Sequence, residues 1–300
     1  MAHNEQLIEE LEVVRTHLAK HCLVEFSTFN QGHAGGTMSI LELVTALYFH
    51  HLKFDPERLE WPERDRLVLS KAHACEAIYA ALVELGVYPA ETLATYYSYG
   101  SPFQGHADRW CTKGIDFSGG SLGQGLSFAA GLALAEKMKT RLNPPERTET
   151  FMPRYIVRIN PEYRTYCILG DGELNEGQNW EAAMFAGKYK LDNLIAIVDY
   201  NKWCVSGPTN DIMPVEPMLD KWKAFGWWVT EIDGHDLRQI CDTLDLTVSM
   251  YGDNRPKVII AHTVKGRGIP SWEDQHIHLG RGKEIVTGVK EGRAKYGDVQ

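Results

Sequence analysis

The 300-residue sequence predicts an α/β protein built on a mainly parallel β-sheet with helices on both faces. Short apolar runs alternate along the chain with stretches in which apolar residues recur at helical spacing, a pattern typical of parallel sheets. The runs themselves are almost continuously apolar, as expected for strands that are buried on both faces.

The helices are predicted from the spacing of apolar residues. The first helix is indicated by a stripe of residues three or four positions apart: Leu7, Leu11, Val14 and Leu18. Ser39 and Glu42 form a capping-box pattern, which predicts that a second helix begins there. Further helices are expected over 78–85, 126–139, 176–189 and 237–249.

The strands are predicted from the apolar runs over 66–69, 166–169, 194–198, 227–232 and 257–261. Residues 86–118 are rich in loop-forming residues. Residues 141–165 are polar, contain proline and lack periodicity, so we expect a surface insertion, since structureless segments of that length are uncommon inside domains. We find no repeat or linker in the sequence, and a single domain over 1–300 is therefore the simplest expectation.

The composition is that of an ordinary globular protein, with 44% hydrophobic and 24% charged residues. A net charge of −9 argues against nucleic acid or an anionic membrane as the partner. The sequence has no signal-peptide pattern and no apolar run of about 20 residues. Its six cysteines lack metal or redox spacing, so we expect reduced thiols in a cytoplasmic protein.

The segment Gly170-Asp171-Gly172 follows one predicted strand, and Asn201 follows the next. Because the carboxyl ends of parallel strands meet at one sheet edge, Asp171 and Asn201 are expected to lie close together. Their oxygens and a backbone carbonyl just beyond, at Trp203, suit Mg²⁺ carrying a diphosphate. A plain turn is the alternative for Gly-Asp-Gly alone. The full arrangement indicates thiamine diphosphate.

A glycine-rich loop, 119–125, precedes the alanine-rich helix. It lacks the Gly-Lys-Ser/Thr of a phosphate-binding loop, so we expect either a tight helix entry or a backbone wall against a cofactor. Lys265 follows the last strand, where it would meet a phosphate or simply face solvent.

Five histidines lie beside glycines or at strand ends: His33, His73, His106, His262 and His278. Histidine suits proton transfer near neutral pH, and a neutral imidazole accepts a hydrogen bond from a sugar hydroxyl. Each taken singly is as well explained as a solvated loop side chain, and His262 as a strand cap. Their spacing does not suit zinc.

These segments together resemble the diphosphate-binding part of transketolase, from about residue 10 to about 285, interrupted by 141–165. The resemblance rests on four motifs in the family's order: 121–125 (Ser-Leu-Gly-Gln-Gly), 170–177 (Gly-Asp-Gly-Glu-Leu-Asn-Glu-Gly), 190–194 (Lys-Leu-Asp-Asn-Leu) and 234–236 (Gly-His-Asp).

The resemblance implies a role for each matching residue. Asp171, Asn201 and the Trp203 carbonyl would hold Mg²⁺, with Ca²⁺ or Mn²⁺ as substitutes. The residues implied to line thiamine diphosphate are His73, Gly120, Ser121, Leu122, Gly172, Glu173, Asn201, Lys265 and His278. The catalytic residues implied at the sugar are His33, His106 and His278. Glu176 would join a carboxylate network between subunits.

The sequence departs from the family pattern at four places, one of which is the 141–165 segment, which is longer than usual. Ala72 replaces a common glycine before His73, and Gly36 replaces a position that often carries a hydroxyl. The late Trp-His-Gly motif becomes Ile-His-Leu-Gly at 277–280, with His276 competing for the role of His278. These departures bear on the substrate more than on the cofactor.

The resemblance also implies a two-chain enzyme. Family members carry a second domain that binds the pyrimidine ring and supplies an activating glutamate. A C-terminal transketolase subunit would provide it here, in an α2β2 heterotetramer. The implied reaction moves a two-carbon ketol unit from a ketose to an aldose, as in the pentose phosphate pathway. Three alternatives stay open: an unusual, for example sulfonated, ketose as donor; the α subunit of a 2-oxo acid dehydrogenase; and a non-catalytic assembly subunit.

Overall fold

The computed structural model describes residues 5–142 and 162–299. Its strands are, in chain order, β1 (Gln31–Gly32), β2 (Arg66–Leu69), β3 (Thr165–Gly170), β4 (Leu194–Tyr200), β5 (Trp203–Cys204), β6 (Gly207–Pro208), β7 (Trp228–Asp233), β8 (Lys257–His262) and β9 (Gly280–Arg281). Its α-helices are α1 (Glu5–Thr28), α2 (Ala34–Met38), α3 (Leu41–Ala46), α4 (Cys75–Glu84), α5 (Gln124–Leu142), α6 (Gly177–Tyr189), α7 (Thr209–Ile212), α8 (Met218–Ala224), α9 (Leu237–Ser249) and α10 (Lys283–Tyr296).

Five strands form one fully parallel sheet in the order β2-β3-β4-β8-β7. The central strand is β4, so the strands that precede and follow it in the sheet both place their carboxyl ends beside its own. The register pairs Gly170 with Asp199 and Tyr200 with His262. The residues that follow β3, β4 and β8 therefore emerge at the same edge, where ligands bind in open parallel sheets.

Helices cover both faces of the sheet because successive strand side chains point in opposite directions. Ile168 and Ile197 belong to the apolar core shared with α1, α3, α4, α9 and α10. Leu169 and Val198 belong to a second core, shared with α5, α6 and α8. The predicted α/β class is confirmed, and the predicted strands match β2, β3, β4, β7 and β8 to within two residues at either end.

The capping box predicted at Ser39 and Glu42 is wrong. Helix α3 begins at Leu41 with Ile40 as its N-cap, which makes no side-chain cap. The Ser39 hydroxyl instead donates to Gly36 O at 3.0 Å and to the buried Asp199 carboxylate at 2.8 Å. A long-range hydrogen bond to a buried charge has outweighed the local capping preference.

The features that were not predicted include helices α7 and α8, helix α10, which packs against α1, and the short antiparallel ladder between β1 and β9. That ladder brings the segment before His33 beside the segment after His278. Most of the predicted 141–165 insertion, residues 143–161, lies outside the described residues. Over 5–142 and 162–299, every helix is too short or too polar to cross a bilayer.

Candidate active site

Asp171 lies directly after β3, and its buried carboxylate is held by two backbone amides. Gly172 N donates to Oδ1 at 2.8 Å and Lys202 N donates to Oδ2 at 2.6 Å. The second contact places the carboxylate beside the turn that follows β4, in which Asn201 is buried. The side chains of Asp171 and Asn201, predicted to share a sheet edge, thus belong to one hydrogen-bonded turn system.

The environment of Asp171 suits a cation. Burial, followed by repulsion from Asp199, raises the pKa of Asp171 to about 7, although amides from Gly172 and Lys202 and the charge of Lys71 oppose the rise. A carboxyl group with such a pKa is only partly ionised at neutral pH. A divalent cation would favour the ionised form by supplying the missing positive charge.

The backbone carbonyl of Trp203 lies close to Gly172. A Cβ atom added at Gly172 would stand 3.6 Å from Trp203 O and only 2.6 Å from Cys204 Cβ. The absence of a side chain at Gly172 is thus what lets the β5 segment approach Asp171. The carboxylate of Asp171, the amide oxygen of Asn201 and the carbonyl of Trp203 belong to these adjoining turns, and a donor set made only of oxygens is of the kind that fits Mg²⁺.

Asp199 is a buried centre of this region that the sequence analysis missed. Its carboxylate accepts hydrogen bonds from Lys71, from Ser39 and Thr263, and from Asn201 Nδ2, the last at 2.7 Å. Burial pushes the pKa of Asp199 up, but the ion pair with Lys71 and the hydroxyl donors outweigh it and hold the pKa below its usual value. Because Asn201 donates to Asp199 through nitrogen, its amide orientation is fixed.

Glu173 ties the glycine-rich loop to the sheet. Its carboxylate accepts from Gly123 N at 2.8 Å, from Gly170 N at 2.9 Å and from the Ser70 hydroxyl. Both oxygens of this predicted cofactor residue are therefore engaged within the protein. Gly120 and Ser121 of the same loop are exposed and Leu122 is half-buried, so the loop surface is open to a ligand.

The substitution of Ala72 for a common glycine is accommodated by Gly119. A Cβ atom at Gly119 would lie 2.3 Å from the Ala72 methyl group, so the methyl occupies the space that this glycine leaves. Gly36 plays a similar part, because a Cβ there would stand 3.1 Å from His73 Nε2 and 3.3 Å from Lys71 Nζ. Both departures thus have local packing partners.

Four of the five singled-out histidines form one cluster around His33. The ring centroid of His33 lies 5.2 Å from that of His106, 5.3 Å from that of His278 and 5.6 Å from that of His73. The rings of His73 and His278 lie 4.8 Å apart. Elements far apart in the chain thus bring the predicted sugar-contacting histidines together.

Three histidines of the cluster, His33, His73 and His278, are neutral at pH 7. Burial, followed by the charge of Lys71, lowers the pKa of His73 well below its usual value. Burial, with smaller contributions from His106, Arg281 and Lys71, lowers the pKa of His33 to about 4. Burial, with smaller contributions from His33, Lys265 and Lys71, likewise lowers the pKa of His278 to about 4. Neutral imidazoles offer one acceptor and one donor nitrogen, the combination needed to bind and exchange protons with hydroxyl groups.

His262 and the competing His276 lie outside the cluster. His262 Nε2 lies 2.7 Å from Glu231 Oε2 at the sheet edge. His276 contacts the Val205 carbonyl at 2.7 Å and stacks on the Trp203 ring. Of the two late histidines, the structure therefore brings His278, rather than His276, to His33.

Lys265 is buried, and its Nζ lies 5.6 Å from the centroid of the Trp203 ring. Burial and the charge of Lys71, partly offset by Asp171 and Asp199, lower the pKa of Lys265 to about 8. A buried, still mostly protonated ammonium beside the Asp171 turn would suit a phosphate oxygen. Glu176, in contrast, is exposed at the N-cap of α6 and makes no capping bond.

A sequence model of the family described as "transketolase, thiamine diphosphate binding domain" matches residues 18–298. The chain belongs to the transketolase family. Its fold agrees: it superposes on the transketolase of Pichia stipitis, solved with sedoheptulose-7-phosphate, with a TM-score of 0.84 and 29% identity, over 96% of this chain and 40% of that one. The transketolase of Campylobacter jejuni gives a TM-score of 0.83 at 29% identity, over 99% of this chain and 43% of that one.

Two transketolase relatives are named as subunits. The 6-deoxy-6-sulfo-D-fructose transketolase subunit of a Clostridium species is 45% identical over 251 residues, covering 84% of this chain and 83% of its own length. An apulose-4-phosphate transketolase subunit from Actinobacillus succinogenes is 39% identical over 266 residues, covering 87% of each. This chain thus covers less than half the length of the full-length transketolases, but it covers most of the length of these subunits.

Proposed function

We propose that this transketolase-family chain is the diphosphate-binding subunit of an enzyme that transfers a two-carbon ketol unit from an anionic ketose to an aldose. The single observation that carries this is the joining, at one sheet edge, of the Asp171–Asn201 turn system and the His33 cluster. The first suits a metal-bound diphosphate and the second suits a polyhydroxylated substrate.

Thiamine diphosphate, when bound, supplies the carbon atom that carries the two-carbon unit between donor and acceptor. The chain's own residues would do the rest. Asp171, Asn201 and the Trp203 carbonyl would hold Mg²⁺, and Lys265 would neutralise part of the diphosphate charge. The 120–122 segment would close one side of the cofactor site.

The histidine cluster would orient the sugar and move protons. His33, His106 and His278 lie close enough to contact neighbouring hydroxyl groups of one substrate. Because His33 and His278 are neutral in the resting chain, each would take a proton from a substrate hydroxyl, becoming a transient imidazolium, and then return it. Fixing the reacting groups in this way also supplies the orientational part of catalysis.

An anionic donor is favoured by the names of the relatives and by a local cation, Arg281. The two subunit relatives act, by name, on a sulfonated and a phosphorylated sugar. The net charge of −9 opposes anions, so binding requires local cations. Arg281 is one: it is exposed, follows His278 by three residues, and makes no ion pair or side-chain hydrogen bond within the described residues.

We further propose that a C-terminal transketolase subunit supplies the pyrimidine-binding domain and an activating glutamate, in an α2β2 assembly, with Glu176 at the interface between chains. The naming of both relatives as subunits, matched over most of their length, supports this. The single-domain organisation and a cytoplasmic location belong to the same proposal. The location is supported by six free cysteines, none in a disulfide.

The test is reconstitution of the chain with a co-purified partner or the product of the neighbouring reading frame. Ketol transfer should require both chains, thiamine diphosphate and Mg²⁺, and should be lost on chelation with EDTA. Asp171→Asn should abolish metal-dependent cofactor binding in calorimetry, whereas His33→Ala should bind cofactor normally and lower turnover. His278→Ala should also lower turnover. Full turnover by the chain alone, or unchanged turnover in both histidine variants, would refute the proposal.

The donor class is tested with three ketoses in the same assay: a phosphorylated, a sulfonated and an uncharged one. Arg281→Gln should raise KM for the charged donors several-fold and leave the uncharged donor unchanged. Arg267→Gln, which removes another exposed arginine, is the matched control. Equal changes in KM for Arg281→Gln and Arg267→Gln, or equal changes for all three donors, would show that Arg281 does not bind the anionic group of the donor.

A further inference from the structure

Glu76, in the first turn of α4, is a fully buried carboxylate behind the histidine cluster. Its Oε1 accepts from the backbone N–H of His33 at 2.9 Å and from the Tyr96 hydroxyl at 2.5 Å. Its Oε2 accepts from the Thr37 hydroxyl at 2.8 Å. Three donors converge on one carboxyl group, an arrangement that suits the ionised form, which is acceptor-only.

A second buried carboxyl group, Glu25, makes no hydrogen bond through either oxygen within the described residues. Two neighbouring carboxylates do not both ionise in a buried site. Burial and the charge of Glu76 accordingly raise the pKa of Glu25 well above its usual value. Burial raises the pKa of Glu76 too, but its three hydrogen bonds oppose that rise. The hydrogen bonds to Glu76, which Glu25 lacks, therefore favour the negative charge on Glu76 and the proton on Glu25.

His33 presents its Nδ1 side to this charge. Nδ1 lies 3.9 Å from Glu76 Oε1, is buried, and has no hydrogen-bond partner within 5–142 and 162–299. The other ring nitrogen, Nε2, lies on the opposite side of the five-membered ring. A carboxylate favours the tautomer whose N–H faces it, just as carboxylates fix the tautomer of metal-binding and catalytic histidines.

We propose that Glu76 is a positioning residue for His33: it anchors the His33 backbone and keeps the imidazole proton on Nδ1, so that Nε2 is presented to the substrate as an acceptor. The part this plays in turnover rests on the function proposed above. The tautomer itself does not, because it belongs to the resting chain.

The other neighbours of the ring agree with this assignment. His106 and His278 adjoin His33 in the cluster, and Arg281 and Lys71 act on it as positive charges. Positive groups disfavour a second proton on the ring, so His33 is kept neutral. Two effects therefore act together: burial and the nearby cations keep His33 uncharged, while Glu76 decides which nitrogen carries the single proton.

The primary experiment is nitrogen NMR of the full chain, with thiamine diphosphate and Mg²⁺ added and histidine labelled with ¹⁵N. His33→Gln assigns the His33 resonances. The wild-type chain should show the Nδ1–H tautomer at pH 7. An Nε2–H tautomer in the wild type would overturn the proposal, whether or not any variant folds.

The second experiment compares Glu76→Gln with Thr37→Val. The glutamine keeps the size of the side chain but removes the charge, so the His33 tautomer should become mixed and kcat should fall about 10–100-fold, as expected for outer-shell partners of catalytic histidines. Thr37→Val removes one donor to the far oxygen and should retain the tautomer and most of kcat.

Cofactor affinity distinguishes failure of the positioning role of Glu76 from failure of the proposed function. In Glu76→Gln, the affinity for thiamine diphosphate should stay within about twofold, because Glu76 makes no contact with the Asp171 turn. An unchanged tautomer in Glu76→Gln, or equal losses of kcat in Glu76→Gln and Thr37→Val, would overturn the positioning role. Absence of any ketol transfer by the wild-type complex would instead refute the proposed function.

Discussion

The ion pair between Lys71 and Asp199 offers the sharpest test of how the site is held together. Lys71 is buried, and its ammonium also donates to Gly36 O at 2.9 Å. Lys71→Met keeps most of the apolar stem but removes the charge. Asp199 would then be a buried carboxylate without its counter-charge, and Gly36 O would lose its donor.

The expected cost follows from the burial of both groups. Removing one partner of a buried ion pair typically lowers the free energy of unfolding by about 3–5 kcal/mol. That is a large part of the roughly 5–15 kcal/mol that holds most native proteins together. For a chain of this size, with about 2 °C per kcal/mol, the melting temperature should fall by about 6–10 °C.

The assay is urea and thermal unfolding of four proteins: the wild type, Lys71→Met, Asp199→Asn and the double variant. In Lys71→Met/Asp199→Asn the unpaired charge is gone while Ser39 still has an acceptor, so the double variant should be more stable than Lys71→Met alone. Lys223→Met, at an exposed lysine, is the control and should change stability by less than about 0.5 kcal/mol. A loss below about 1 kcal/mol in Lys71→Met, or a double variant less stable than it, would refute the reasoning.

Three further predictions concern pH and glycine. Folding lowers the pKa of His33 to about 4, so the unfolded chain binds this proton at a higher pH than the folded chain does. The free energy of unfolding should therefore fall by about 3 kcal/mol from this group as the pH drops from about 6.5 to 4. In urea titrations at each pH, His33→Gln should show a smaller fall. Gly172→Ala should weaken Mg²⁺-dependent cofactor binding measured by calorimetry, since its methyl group would stand 2.6 Å from Cys204 Cβ; unchanged binding would contradict the fit. Gly125→Ala, whose methyl would lie 2.6 Å from a backbone atom, should destabilise the chain by about 1–3 kcal/mol, whereas Gly131→Ala, on an open stretch of α5, should stabilise it by up to about 1 kcal/mol in thermal unfolding.

Much of the fold was predictable because strands that are buried on both faces consist of nearly continuous apolar runs. A strand such as β4 is apolar at nearly every position, and polar residues mark where it ends. The ends of two such runs also identified Asp171 and Asn201 as neighbours. Their proximity followed from parallel pairing alone, without any knowledge of side-chain contacts.

Helix α10 was not predicted because its glycines lower the helical signal. The structure gives their reason: a Cβ at Gly288 would lie 1.9 Å from the Trp272 ring, and one at Gly292 would lie 2.7 Å from Leu23. Glycine is needed at these positions so that α10 can pack closely against Trp272 and against α1. A local propensity argument cannot anticipate partners that the chain supplies from distant segments.

The buried charges escaped sequence analysis for a related reason. Lysine and glutamate are most often solvated, so the sequence alone gives no sign that Lys71 and Glu76 are buried. Only the folded chain shows that one meets Asp199 and the other the His33 backbone. The misassigned Ser39 cap has the same origin, because the buried Asp199 takes its hydroxyl.

The placement of β4 at the centre of the sheet has a practical consequence for redesign. The turn expected to bind the coenzyme is positioned by three adjoining strands, so a change in any one of these strands would disturb the other two. The pocket wall expected to meet the sugar is assembled instead from the connections around 31–37, 104–107 and 276–281. Laboratory evolution aimed at a new sugar should therefore diversify those connections and leave the strands untouched.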